Sequence, residues 1–148
     1  PALALAALVL AAGCGSADQE KALRLYGKRN VNPATAKLLD NPLYQNVILP
    51  GELAERLRRG EEVYVYFFSP LCPHCVRTTP IVVPLAQELG IDLKLYNVLE
   101  FEQGWTDYRI EGTPTIVHFR GGAEVGRLEG ELPEERYRSW FTAEKGAS

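Results

Sequence analysis

Apolar residues in this chain fall into short runs separated by polar stretches of helical length, and those runs set the element order. The densest is Val63-Tyr64-Val65-Tyr66-Phe67-Phe68; with too little polar alternation for a solvated face, it predicts a buried strand over 61–68. Ahead of it, Leu53 and Leu57 recur at i and i+4 and Gly60 follows, which predicts a short helix over 52–59 with a glycine cap. After it, a helix is expected from about Cys72 to Leu89, ended by Gly90. Pro80 and Pro84 fall inside that helix; each removes an N–H and clashes with the preceding turn, so a kink or break is expected there. Strands follow over 91–98, with Leu93 and Leu95 on one face, over 115–119 and over 123–128. Gly121-Gly122 supplies the positive φ values of a tight hairpin between the last two. A short helix with Trp105 is expected within 100–108, and a closing helix starts at Pro133 and runs through Phe141, packing Tyr137, Trp140 and Phe141 on the sheet.

Upstream, residues 18–46 are polar and mixed, broken by Asn30, Asn32, Pro33, Asn41 and Pro42, with short helices expected near 20–26 and 34–39. Residues 44–49 are a candidate first strand. The whole order gives one β-α-β crossover, then a β-hairpin and a closing helix. This is an α/β class: a mixed central sheet flanked by helices.

The first twelve residues change the picture of where the chain works. Pro1 to Ala12 are almost wholly Ala, Leu and Val. The run is too short for a bilayer span of roughly 20 residues and has the length of a secretory signal core. Because the sequence opens on Pro rather than Met, residues 1–13 are expected to be the remnant of a signal peptide. Ala11-Ala12-Gly13-Cys14 resembles the lipobox of bacterial lipoproteins, although Ala11 stands where Leu is preferred. That resemblance implies lipid attachment at Cys14, a lipid-anchored spacer over 14–46 partly packed at its C-terminal end, and a domain over 47–148 on the extracytoplasmic side of a bacterial membrane. A plain signal peptide with Cys14 incidental is the alternative.

At 148 residues the chain is one domain plus a tail. Its composition, 46% hydrophobic and 24% charged, is that of a folded soluble protein. A formal net charge of -3 argues against general nucleic-acid binding, which depends on clustered Lys and Arg.

Cys72-Pro73-His74-Cys75 carries the chemistry. Two thiols two residues apart at a helix start can close a small disulfide ring and reopen it. The helix N-terminus offers unpaired N–H groups and the positive end of the dipole, which favour the first sulfur as the thiolate, the reactive form. Thiol–disulfide exchange follows. Outside the cytosol, where no glutathione system keeps thiols reduced, the pair is expected to rest as a disulfide.

The order of elements, the Cys72–Cys75 pair, Pro80, Gly112-Thr113-Pro114-Thr115 and Gly121-Gly122 together resemble the thioredoxin fold over about residues 47–141. The resemblance implies a cis Thr113–Pro114 bond facing the cysteines. It implies that Pro73, Thr113 and Pro114 meet the substrate, with the Thr113 backbone pairing to an extended strand whose disulfide lies over Cys72. It implies that Cys72 attacks, Cys75 resolves the mixed disulfide, and His74 tunes the Cys72 thiolate by donating to it. The Pro-His dipeptide is similar to that of DsbA-type oxidases, whereas the short span from Gly104 to Gly112 leaves no room for their helical insertion. Both directions of electron flow stay open. Thioredoxins carry a buried acid six residues ahead of the first Cys, where this chain has Tyr66, and a Trp just before it, where this chain has Leu71. The proton acceptor for Cys75 is thereby unassigned, with water, Glu100 or Glu111 as candidates. His118, mid-strand, is expected to be a packing residue.

The leading expectation is an extracytoplasmic, membrane-anchored thiol–disulfide oxidoreductase acting on cysteine-containing exported proteins with a membrane or extracytoplasmic redox partner. It is expected to be a monomer needing no cofactor beyond the Cys72–Cys75 disulfide, with no metal site. Two alternatives remain: a soft-metal protein binding copper or zinc through Cys72, His74 and Cys75, and a non-catalytic interaction domain with a structural disulfide.

Overall fold

The computed structural model describes residues 13–147, with side chains from residue 15 onward. The apolar run 1–12 and the side chain of Cys14 lie outside the described residues, and so do the signal-remnant and lipid-attachment expectations. Helices α1 (Gly13–Tyr26) and α2 (Pro33–Ala36) and a 3₁₀ turn (Pro42–Tyr44) precede α3 (Pro50–Arg58). Then come β1 (Val63–Phe68), α4 (Pro73–Glu88), β2 (Leu93–Asn97), α5 (Gln103–Asp107), β3 (Thr115–Arg120), β4 (Ala123–Glu129) and α6 (Glu134–Gly146). The sheet runs β2-β1-β3-β4, with β1 parallel to β2 and antiparallel to β3, and β4 antiparallel to β3.

β1 lies in the middle, and all six of its side chains are buried. Tyr64, Tyr66 and Phe68 face α4 and α6, where they meet Val82, Leu85, Tyr137 and Phe141. Val63, Val65 and Phe67 face the opposite layer with Leu53, Tyr96, Val117 and Phe119. Each buried Val, Leu, Ile or Phe contributes about 1.5–3 kcal/mol, so this strand is the centre of both cores.

Three local expectations are corrected. Residues 44–49 form no strand: the 3₁₀ turn occupies their start, and only a single bridge joins Val47 to Leu95. Pro80 and Pro84 do not interrupt α4, which runs as one helix from Pro73 to Glu88. Both prolines lie on the solvent face, as do the residues four before them, so the carbonyls they leave unbonded can reach water. Pro133 caps α6 from outside rather than opening it, and the helix continues past Phe141 to Gly146.

The polar segment before α3 packs further toward its N-terminus than its composition predicts. Ala22, Tyr26 and Leu39 form a small buried cluster of their own. Its attachment is both apolar and polar: Tyr26 packs on Phe101, and the buried Asn97 amide donates to Tyr26 Oη at 3.3 Å and to Thr35 Oγ1 at 3.2 Å. Glu100 accepts the Asn32 N–H at 2.7 Å and pairs with Lys28 at 2.7 Å. Burial works against its charge, yet Lys28, Thr35 and Asn32 hold its carboxyl below the usual carboxylate range.

His118 is buried, as expected, and stacks on Tyr64 with ring centroids 4.0 Å apart. It is also a clamp. Nε2 lies 2.7 Å from Glu62 Oε1, just before β1, and Nδ1 lies 2.7 Å from Glu144 Oε2 on α6. The ring therefore ties the closing helix to the sheet. Gly126 faces His118 across β4, and a methyl group there would come within 2.5 Å of the Glu144 carboxylate, so the strand carries glycine where the clamp passes.

Candidate active site

β1 delivers the chain to a tight turn at its C-terminal end. Ser69 accepts the Leu71 N–H on Oγ at 3.2 Å and the Cys72 N–H on its carbonyl at 3.1 Å. That turn leaves Cys72 in extended geometry at the N-cap of α4, with Pro73 in the first turn, where a missing N–H costs nothing. The half-buried Cys72 Sγ accepts the Cys75 N–H at 3.2 Å, one of the donors that a helix start leaves without a partner.

Cys75 sits one turn in, on the inner face of α4, and is 1% exposed. Burial first, then its hydrogen bond with Cys72, pushes its thiol up to about 12. Both cysteines are free thiols. The pair is therefore asymmetric: one sulfur accessible and fed by a helix N–H, the other enclosed and held protonated.

Among the described residues, the side chains bonded to the Cys75 carbonyl are hydroxyls. Tyr66 Oη lies 3.0 Å from Thr79 Oγ1, and Thr79 donates to the Cys75 carbonyl at 2.8 Å. Burial pushes the Tyr66 phenol far above its ordinary range, so it stays neutral. Glu100 is engaged with Lys28 and Asn32 at the N-terminal segment, and Glu111 is exposed on the loop before Thr113.

The second wall of the site is the loop ahead of β3. The Thr113–Pro114 bond is cis, as the resemblance implied. The Thr113 carbonyl accepts from the Cys72 thiol at 3.4 Å, and the Thr115 hydroxyl donates to the Gly112 carbonyl at 2.7 Å, fixing the turn. Cys72, Pro73, Thr113 and Pro114 are thus brought to one edge, and the exposed apolar side chains of Leu71 and Val76 flank it.

His74 points elsewhere than toward Cys72. Its Nδ1 lies 2.6 Å from Glu131 Oε2. Arg77 donates to the same carboxylate twice, from Nε to Oε1 and from Nη2 to Oε2, both at 2.7 Å. Arg77 Nη2 and His74 Nδ1 are also 3.2 Å apart; both aim at Oε2, so that separation is a close approach rather than a bond. The Arg77 guanidinium first, then His74, holds the Glu131 carboxyl at about 2.

Sequence reasoning passed over Glu131, Arg77 and Thr79. Arg77 follows His74 by one helical turn, which was a readable signal. Glu131 comes from the β4–α6 loop and belongs to no motif.

Among the described residues no group of three or more His, Cys, Asp or Glu side chains is arranged to hold a metal ion, and no helix is long and apolar enough to cross a membrane.

A family model described as thioredoxin matches residues 47–143. Thioredoxin 1 of Nostoc sp. is 32% identical over 74 residues, covering 49% of this chain and 69% of that protein. Chloroplastic thioredoxin M4 of Arabidopsis thaliana is 33% identical over 75 residues, covering 49% of this chain but only 39% of that protein. The X-ray structure of Fasciola hepatica thioredoxin superposes with a TM-score of 0.56 at 27% identity, covering 63% of this chain and 91% of that one.

Proposed function

This chain belongs to the thioredoxin family, and from that premise we propose that it is a thiol–disulfide oxidoreductase acting on cysteine-containing proteins through Cys72 and Cys75. The observation that carries this is the placement of Cys72: an N-cap sulfur bonded by the Cys75 N–H and set 3.4 Å from the Thr113 carbonyl. A substrate strand along Thr113 would present its disulfide to that sulfur. Cys72 attacks one substrate sulfur and the other leaves as a thiolate. Cys75 then attacks Cys72, releasing the reduced substrate and leaving the Cys72–Cys75 disulfide. The same steps in reverse oxidise a dithiol. No cofactor is required, since the electrons pass between sulfurs.

The test is the redox equilibrium of the pair against a glutathione series, with thiols trapped by alkylation. A potential between about −120 mV, that of a strong oxidase, and about −270 mV, that of a reducing thioredoxin, is expected. A pair that never equilibrates, or lies below about −300 mV as structural disulfides do, would make this an interaction domain.

The same proposal places the protein outside the cytoplasm, held to a bacterial membrane through lipid on Cys14 and acting on exported proteins. Support comes from the apolar run 1–12 and the small residues before Cys14. Cys14→Ala is expected to move the full-length protein from the membrane to the soluble fraction; continued sedimentation with membranes contradicts the anchor.

A further inference from the structure

Glu131 is not a loosely placed surface acid. The Tyr137 hydroxyl, at the buried end of its ring, donates to the Gly130 carbonyl at 2.6 Å and accepts the Leu132 N–H at 3.1 Å, so both residues flanking Glu131 are pinned. The Gly130 N–H in turn donates to the Pro114 carbonyl at 2.9 Å, tying this loop to the wall of the active site. The acid is therefore held over the first two turns of α4, where it accepts two parallel bonds from Arg77 and one from His74. An exposed ion pair with mobile partners contributes little, but a bidentate pair in a fixed frame is a defined charge arrangement.

Reduction of the Cys72–Cys75 disulfide takes two electrons and, with Cys72 as thiolate and Cys75 as thiol, one proton. When two glutathione thiols supply the electrons they become glutathione disulfide; one of their protons goes to Cys75 and the other to solvent. The reduced protein thus carries a negative charge on Cys72 that the oxidised protein lacks. Positive charge nearby favours the reduced form and makes the disulfide a stronger oxidant; negative charge does the reverse. Arg77 is always cationic and lies one turn beyond His74.

We infer that Glu131 restrains the oxidising strength of the pair: by neutralising Arg77 and holding His74 Nδ1 it withholds from the Cys72 thiolate the positive charge that α4 would otherwise present. Glu131 is a positioning residue, and the inference rests on the exchange reading above, since only a cycling pair has a poise to set. Arg77 interacts electrostatically with Cys72 as well as with Glu131, and Cys75 on the same helix also interacts with Cys72.

Three variants test it: Glu131→Gln, Arg77→Gln and the double variant. Each is read by its glutathione equilibrium and by the pH profile of Cys72 alkylation. Glu131→Gln is expected to shift the equilibrium about threefold toward the reduced protein, the scale of an exposed charge interaction, and to move alkylation to lower pH. Arg77→Gln should shift both readouts the other way, and the double variant should return near wild type, a cancellation that loss of structure would not produce. Unmoved profiles, or single variants shifting in the same direction, overturn the inference even if the wild-type pair exchanges normally. Opposed alkylation shifts in a protein that never equilibrates with glutathione would overturn the oxidoreductase reading, and the poise with it, while leaving Glu131 as a group that acts on the Cys72 thiolate.

Discussion

Replacing Cys72 by serine is expected to abolish turnover of disulfide substrates, and replacing Cys75 by serine to arrest the protein on its substrate. The two outcomes differ because the two sulfurs differ in place. Cys72 is half-buried beside the Thr113 carbonyl, so it is the sulfur an incoming disulfide meets. A serine oxygen there forms no sulfur–sulfur bond, and catalysed exchange should fall below detection. With Cys72 intact and Cys75 removed, the first attack proceeds but no internal thiol releases the product, so a mixed disulfide accumulates. Mass analysis after incubation with a disulfide-bonded protein would show the adduct only in the Cys75→Ser variant, and dithiothreitol would remove it. Equal residual turnover in both variants would mean that the cysteines do not act in sequence.

The second large effect is a pH dependence carried by Cys75. Burial, with the hydrogen bond to Cys72, raises its thiol to about 12; burial, the larger cause, persists when Cys72 is tied up in a mixed disulfide, and the polar groups beneath, Tyr66 and Thr79, are neutral hydroxyls. Resolution needs the Cys75 thiolate, so the proton must leave to water or buffer first. With the thiol raised above the working range by burial, the thiolate fraction rises about tenfold per pH unit. The sign is fixed: alkaline pH accelerates resolution, and acid pH lengthens the life of the mixed disulfide. Between pH 7 and pH 9 a preformed mixed disulfide on Cys72 is expected to resolve about a hundredfold faster, measured by stopped-flow release of a chromophoric thiol. A flat profile over that range would require a base beside Cys75, contrary to the arrangement of Tyr66 and Thr79.

What was legible in the sequence follows from which interactions are local. The β1 run, the glycine hairpin at 121–122, the cysteine spacing and the Thr113-Pro114 turn each express their role within a few residues, and each stands where expected. Exposure was harder to read. The prolines of α4 fall on its solvent face, and nothing in their spacing alone showed that the freed carbonyls could be hydrated. The packing of residues 22–46 was hidden because its apolar contacts are single side chains, Tyr26 on Phe101 and Tyr44 on Phe68, joined by hydrogen bonds to Asn97 and Glu100, with no continuous apolar stripe to mark them. The environment of His74 was least legible. Its partner Glu131 arrives from a distant loop through the Tyr137 hydroxyl, and no local pattern encodes a contact made that way. His118 shows the same limit: its burial was readable, but not the two carboxylates that converge on it, Glu62 just before β1 and Glu144 on α6.

The central strand carries a consequence for the chain before it folds. Val63 to Phe68 is six residues of high β-propensity with no charge and no proline, and in the folded protein both its edges are hydrogen-bonded and both its faces covered. Its partners come from far along the chain, Leu93 to Asn97 on one side and Thr115 to Phe119 on the other, so the hexapeptide stays uncovered until most of the domain has been made. During that interval it has the composition of a self-associating segment. Glu61-Glu62 on one side and Pro70 on the other stand as gatekeepers, placing charge and a strand-breaking residue at its ends. The strand that anchors both cores is also an aggregation hazard of the unfolded chain.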